Sequence, residues 1–160
     1  MPLRKPLVLV SGQIQQISSS DTLDAVVSEV DIVTKANGEA SAVVIGNAVY
    51  VFSGTQIKKG QANALGTSDV LGLMKDVSVA AAASGSIQTD GILTATTVQW
   101  DAVTGASGGL TPGSVYYLDP TTSGRLTVTA PSTVGQQVVR IGKALSTTEM
   151  DISCEPPIGL

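Results

Sequence analysis

Short runs of apolar and β-branched residues alternate with turn residues along most of this 160-residue chain. The pattern is densest between residues 110 and 152, where Val115–Leu118, Arg125–Thr129 and Val138–Leu145 each predict a strand. Turn signals recur about every ten residues, a spacing typical of sandwiches and barrels rather than of alternating α and β units. We therefore predict an all-β fold, an antiparallel β-sandwich or barrel with an extended N-terminal arm.

The first half of the chain leaves one segment open. Residues 21–34 fit either a short helix capped by Asp21 or a strand over Val26–Thr34, which the β-branched residues favour. Further strands are predicted at Leu7–Val10, Ala40–Ile45, Ala48–Phe52, Val70–Met74, Ile92–Trp100 and Met150–Ser153. Asn37-Gly38 and Asp90-Gly91 predict hairpin turns, because such pairs readily adopt positive φ angles.

Three less regular segments have their own predictions. The alanines of residues 80–83 predict a tightly packed strand end, and Gly105–Gly109 predicts a hairpin or inter-strand loop. Pro156-Pro157 should prevent further strand pairing, so we expect the tail from Glu155 to be extended and exposed. The predicted organisation is an arm over residues 1–20, a small β-meander over residues 21–56 and a main domain over residues 65–155.

The low content of charged residues suggests a surface that is partly covered. Only 14% of the residues are charged, against about 25% in an average soluble domain. We therefore expect sister subunits to cover part of the surface, although a Ser/Thr-coated protein without partners would have the same composition. The net charge of −4 argues against nucleic acid as a partner, and no stretch is long enough to span a membrane.

The candidate chemistry is sparse. The chain has no histidine, which excludes a Ser-His-Asp triad, and its single cysteine, Cys154, excludes an internal disulfide or cysteine-cluster metal site. Glu29 with Asp31 and Glu149 with Asp151 have the spacing of two that places carboxylates on one face of a strand. Such pairs are usually solvated, so we predict no enzymatic activity, no cofactor and no metal.

Several stretches resemble structural proteins of tailed-bacteriophage virions. They are VSGQIQQISSSDTLDA (10–25), LGLMKDVSVAAAASGSIQTDGILTATTVQWDAVTG (71–105), GGLTPGSVYYLDPTTSGRLT (108–127) and GQQVVRIGKALSTTEMDI (135–152). Together they cover most of the chain and are similar to head-decoration, head-fibre and tail-fibre modules. The resemblance implies a trimeric, β-rich and non-enzymatic component of the particle, assembled in the host cytoplasm.

Two functions follow from the resemblance. The first is a decoration or cement protein that binds the phage major capsid protein as a homotrimer and stabilises the capsid surface. The alternative is a tail-fibre or baseplate module that binds a host surface glycan through exposed aromatic residues, for which Tyr50 is a further candidate. The candidate interface residues are Leu7, Val8, Leu9, Val10, Ile14, Ile17, Trp100, Tyr116 and Tyr117.

Overall fold

The computed structural model describes residues 31–160 and the backbone of two earlier segments, Leu7–Val10 and Gln13–Gln16. The described strands are β1 (Leu7–Val10), β2 (Gln13–Gln16), β3 (Ile32–Asn37), β4 (Val43–Val44), β5 (Ala48–Ser53), β6 (Gln56–Lys59), β7 (Val70–Met74), β8 (Ser78–Val79), β9 (Ser84–Gln88), β10 (Asp90–Thr94), β11 (Val115–Leu118), β12 (Leu126–Thr127), β13 (Gln137–Val138), β14 (Arg140–Ala144), β15 (Glu149–Ser153) and β16 (Ile158–Gly159). The helices are α1 (Leu65–Ser68) and α2 (Thr97–Thr104). The predicted all-β class is confirmed.

Five strands close into a barrel in the order β3-β6-β5-β7-β9. The pairing of β3 with β6 is parallel, and the other pairs are antiparallel. β9 closes the barrel by pairing with β3 from Ile32–Gln88 to Ala36–Ser84. A cluster of buried apolar side chains belongs to these strands and to the short β4–β8 pair: Val43, Val49, Ile57, Met74, Val79 and Ile87.

A second sheet has the strand order β10-β15-β14-β11-β12, and every pair in it is antiparallel. Its buried side chains join those of α2 and of the barrel's outer face in one large core cluster. Consecutive residues of the barrel strands are therefore both buried: Ala48 belongs to this large cluster and Val49 to the barrel cluster. Because successive side chains of a strand point to opposite faces, β5 is covered on both sides.

The helix α2 replaces the end of the strand predicted over Ile92–Trp100. Thr96 caps it: the Thr96 hydroxyl accepts a hydrogen bond from the Gln99 N–H, and the Gln99 side chain accepts one from the Thr96 N–H. This capping box is visible in the sequence as Thr-Thr-Val-Gln, and it was missed in favour of the alternating pattern. The glycine-rich segment after it begins as the helix C-cap, with Gly105 in the left-handed conformation.

The hairpin predicted at Asn37-Gly38 is wrong. Asn37 ends β3, which pairs with β6 and β9 and not with the strand that follows it. The Asn37 side chain instead donates hydrogen bonds to the carbonyls of Ser41 and Val79, each 2.9 Å long, and thereby holds the next loop. The hairpin predicted at Asp90-Gly91 is also wrong. These two residues begin β10, which pairs with β15, although Gly91 has the positive φ, 78°, that such a turn requires.

Two predictions for small residues and prolines are also wrong. The alanines of residues 80–83 form an exposed turn rather than a packed strand end. The C-terminal tail does pair: after Pro157 the chain forms β16, which lies antiparallel to β13 through Gln137–Gly159 and Val138–Ile158. A pair of prolines removes two N–H donors but leaves the following residues free to pair.

The strand pairing cuts across the predicted domain boundary between residues 56 and 65. The barrel takes β3 and β5 from one side of it, β6 from the boundary segment itself, and β7 and β9 from the other side. β15, which contains the strand predicted at Met150–Ser153, lies between β10 and β14. The alternative predictions for residues 21–30 lie outside the described residues, as does most of the predicted arm.

Candidate interaction surfaces

Two aromatic residues proposed as interface candidates are buried in the chain's own core. Trp100 is fully buried, and its Nε1 donates a hydrogen bond of 3.0 Å to the carbonyl oxygen of Thr148. Tyr116 is also buried, and its hydroxyl accepts a hydrogen bond from the Thr111 N–H at 2.9 Å. Neither side chain is available to a partner, which corrects the sequence-based assignment. Tyr117, next to Tyr116 on β11, is half-buried.

The remaining candidates lie in the N-terminal segment. Leu7, Val8, Leu9 and Val10 form β1, and β2 contains Ile14, which lies opposite Leu9 in the antiparallel register. Among the described strands, β1 and β2 pair only with each other. Ile17 lies outside the described residues. A two-stranded hairpin alone is marginally stable, so this one should need a surface to lie on.

Of the two carboxylate pairs, only Glu149 with Asp151 lies wholly in the described part of the chain. Glu149 and Asp151 lie on the face of β15 opposite the buried Met150 and Ile152, where Glu149 is half-buried and Asp151 exposed. The Glu149 side chain accepts a hydrogen bond from the Ser146 hydroxyl. Glu29 lies outside the described residues. Residues 31–160 contain no group of three or more acidic or cysteine side chains that could hold a metal ion.

A groove of about 680 Å³ opens beside β5 and β7 of the barrel, and we call it the barrel groove. Its apolar lining consists of Tyr50, Val51, Leu65, Val70, Leu71 and Pro157. Two of these apolar side chains are largely exposed to solvent: Leu65 is 64% exposed and Val51 is 45% exposed. Asp69 is the one charged residue in the lining.

The barrel groove lies where two strands separate. β5 pairs with β7 only from Ala48 to Tyr50, whereas on its other side it pairs with β6 as far as Ser53. Val51 and Ser53 thus have partners on β6, with Phe52 at an irregularity between them, and within residues 31–160 none of the three has a strand partner on the other side. Phe52 is 52% exposed, with the Lys58 ammonium 3.9 Å from its ring centroid. An unpaired edge beside an apolar groove is the geometry that accepts an additional strand.

A second apolar groove, the helix groove, lies between α2 and the loop after β7. It has a volume of about 200 Å³ and is lined by Val44, Ile45, Val77, Val98, Gln99 and Ala102. Val98 on α2 is 75% exposed and Val77 is 66% exposed. The low polarity of this lining makes it a further surface on which burial by another protein would be favourable.

A third groove, the loop groove, is polar. It has a volume of about 300 Å³ and its lining includes Asp119, Thr121, Thr127, Thr129, Thr133 and Gln136. Partial burial raises the pKa of Asp119, but hydrogen bonds from Thr121 and Thr122 and the charge of Arg125 outweigh it, so that the pKa lies below its ordinary 3.8. No aromatic side chain lines this groove.

The thiol of Cys154 is shielded. Burial raises its pKa to about 12, and Sγ lies 3.8 Å from the carbonyl oxygen of Ile141, to which it donates. A thiol with this pKa is almost wholly protonated at neutral pH, so very little of the nucleophilic thiolate is present there. The side chain therefore acts as a small hydrophobic residue that packs against the large core cluster.

The grooves were missed by sequence reasoning because they form between segments distant in the chain. Pro157, for example, meets Leu65 and Val51 in one lining. The one local signal was the presence of two consecutive exposed apolar residues, Val51 and Phe52, near the end of β5.

Within the described residues, no helix has the length and apolarity needed to cross a membrane. No protein-family model matches the sequence, and no curated protein is significantly similar to it.

Proposed function

We propose that this protein is a non-enzymatic structural component of a tailed-bacteriophage virion, which decorates and stabilises the capsid surface as a homo-oligomer. The proposal originates in the resemblance of residues 10–25 and 71–152 to phage virion modules. The molecular surface also supports it. The barrel groove and the helix groove expose apolar side chains to solvent, in addition to the two clusters of buried apolar residues.

The observation that carries the proposal is the barrel groove with the unpaired edge of β5 beside it. A monomer with no partner would expose Leu65, Val51 and Phe52 to water at a cost in free energy. Contact with subunits or with a shell protein would remove that cost, and repetition over many copies would strengthen a particle. Such a role requires buried area and strand pairing rather than reactive groups.

The glycan-binding alternative has less support. Of its four aromatic candidates, Trp100 and Tyr116 are buried, and Tyr50 lies in an apolar groove. A sugar-binding site would be expected to present an aromatic face together with several hydrogen-bonding groups. The loop groove has the polar groups but no aromatic residue.

The copy number in purified particles tests the proposal. We expect mass spectrometry to show many copies per particle, in a ratio near that of the major shell protein itself. A few copies per particle would favour the tail-fibre alternative and overturn capsid decoration. Absence from the particle would overturn both.

A further inference from the structure

We propose that the barrel groove receives strand β1 of a second copy of this chain, which extends the barrel sheet by pairing with the free edge of β5. The occupant is the apolar strand Leu7–Val10, and the receiving surface is Val51, Leu65, Val70 and Leu71. The choice of a second copy rather than the chain's own arm rests on the proposed homo-oligomer. The fit between the strand and the groove is independent of that proposal.

The two edges are complementary. Within the described strands, β1 pairs with β2 on one side only, and residues 51–53 of β5 have no partner on the side that faces the groove. Joining these edges would satisfy backbone donors and acceptors on both strands, as in β-strand addition. The hairpin would then become part of a larger sheet, which removes the marginal stability of two isolated strands.

The chemistry of the two partners also matches. All four residues of β1 are apolar, and the groove is lined mainly by apolar side chains. Because alternate residues of a strand share a face, either Leu7 with Leu9 or Val8 with Val10 would enter the groove. In the sequence, Arg4 and Lys5 precede β1, and Asp69 is the charged residue of the groove, so the charges are opposite.

The position from which the arm leaves the body favours this groove. Ile32 lies opposite Gln88, and Gln88 lies opposite Leu73 of β7. Ile32 and Leu73 are therefore level with each other across β9. Because both pairs are antiparallel, the residues before Ile32 lie on the same side as the residues from Leu73 back to Val70. The chain therefore enters β3 at the end of the barrel that holds the groove, about two strand spacings, or roughly 10 Å, from β7.

The length of the intervening segment allows exchange between copies. Fourteen residues, 17–30, separate β2 from Asp31, and fourteen extended residues span at most about 46–50 Å. That reach is several times the distance to the chain's own groove, so it extends to the groove of an adjacent copy. Each copy would give one arm and accept one, a head-to-tail contact that closes into a ring.

Cysteine cross-linking between two differently tagged chains tests the exchange. One chain carries Val8→Cys or Leu9→Cys, the other carries Leu65→Cys, and the two are produced together and oxidised mildly. We expect a disulfide between chains for one of the two arm positions, because only one faces the groove. The matched control pairs the same arm variants with Val98→Cys, an even more exposed residue in the helix groove. The natural Cys154 is shielded by burial and should not compete.

We expect the Leu65→Cys product to exceed the Val98→Cys product by about tenfold, as an arm held at high effective concentration would give. Equal yields would indicate random collision and would overturn the proposal. A single chain that carries both Leu9→Cys and Leu65→Cys (or Val8→Cys and Leu65→Cys) and forms its disulfide only internally would also overturn it, because the arm would then fill its own groove.

A second measurement does not depend on cross-linking geometry. We expect Leu65→Asp to shift the mass measured by light scattering towards the monomer, whereas Val98→Asp leaves it unchanged. An unchanged mass for Leu65→Asp in a folded protein would contradict the exchange. That outcome would not affect the copy number in particles, so failure of this inference is distinguishable from failure of the proposed function.

Discussion

The guanidinium of Arg125 donates a hydrogen bond of 2.8 Å to the carbonyl oxygen of Thr104, the last residue of α2. Gly105 follows directly and has a φ of +69°, and a Cβ at this position would overlap Nη2 of Arg125. The helix end therefore has an external hydrogen-bond donor, which lies in the space that only glycine leaves open. Since Arg125 directly precedes β12, the bond joins α2 to the edge of the second sheet.

Replacing Gly105 by alanine should lower the free energy of unfolding by about 2 kcal/mol. Roughly 1 kcal/mol is expected from the left-handed backbone and a similar amount from the displaced Arg125 hydrogen bond. Gly108→Ala is the matched control, because Gly108 has a φ of +89° with no atom within 4 Å of the added Cβ. Urea denaturation of both variants measures the difference, and equal losses would show that Arg125 contributes nothing.

Replacing Ala82 by glycine should stabilise the protein. Ala82 has a φ of +61° and is the one non-glycine residue in the range 31–160 with a positive value. Relief of the left-handed strain should exceed the added entropy of the unfolded chain by about 0.5–1 kcal/mol. The neighbouring exposed Ala81 serves as the control: Ala81→Gly should be neutral or destabilising in thermal melts. A lower melting temperature for Ala82→Gly would contradict the assigned strain.

The thiol of Cys154 should react with a thiol reagent only after unfolding. Its pKa rises from an ordinary 9.0 to about 12, which lowers the thiolate fraction at pH 8 by about a thousandfold, since three pKa units separate the two values. Labelling of the native protein should therefore be much slower than labelling in urea, although the greater nucleophilicity of a thiolate of higher pKa offsets part of that factor. Comparable rates in the two conditions would show that the thiol is open to solvent.

The carboxylate of Asp119 should make stability depend on acid pH. Its pKa in the folded protein lies below 3.8, so the stability that it contributes is present above its unfolded pKa and is lost as the pH falls through the lower folded value. Asp119→Asn removes this titration. We expect the variant to lose less stability than the original protein between about pH 5 and pH 2, the range that brackets the Asp pKa, as measured by urea denaturation at each pH. Parallel losses would place the acid sensitivity elsewhere.

Strands with a clear local pattern were predictable, and their partners were not. The strand at Val115–Leu118 was predicted, and in the structure a turn precedes it, with Gly113 at a φ of +80° and the Ser114 N–H bonded to the Thr111 carbonyl at 3.1 Å. A proline followed by a glycine determines such a turn locally. The prediction that Asn37-Gly38 joins neighbouring strands failed, because Asn37 forms long-range hydrogen bonds that outweigh the local preference.

The candidate sites show the same division. Trp100 was predicted as an interface residue, and its sequence environment gave no sign that the side chain is buried in the chain's own core. The capping box at Thr96 turns this segment into a helix, which places the indole against Thr148, 48 residues away. The barrel groove depends on three segments that meet only after the barrel closes, so no local pattern indicated it.

By itself, the sequence determined the all-β class, the positions of most strands and the absence of histidine chemistry, because periodicity, turn residues and composition act over a few neighbouring residues. Only the tertiary structure decided which strands pair, where β5 loses its partner and which apolar side chains remain exposed. Those features depend on backbone hydrogen bonds and burial between residues far apart in the chain, and a strand's own residues are compatible with many partners.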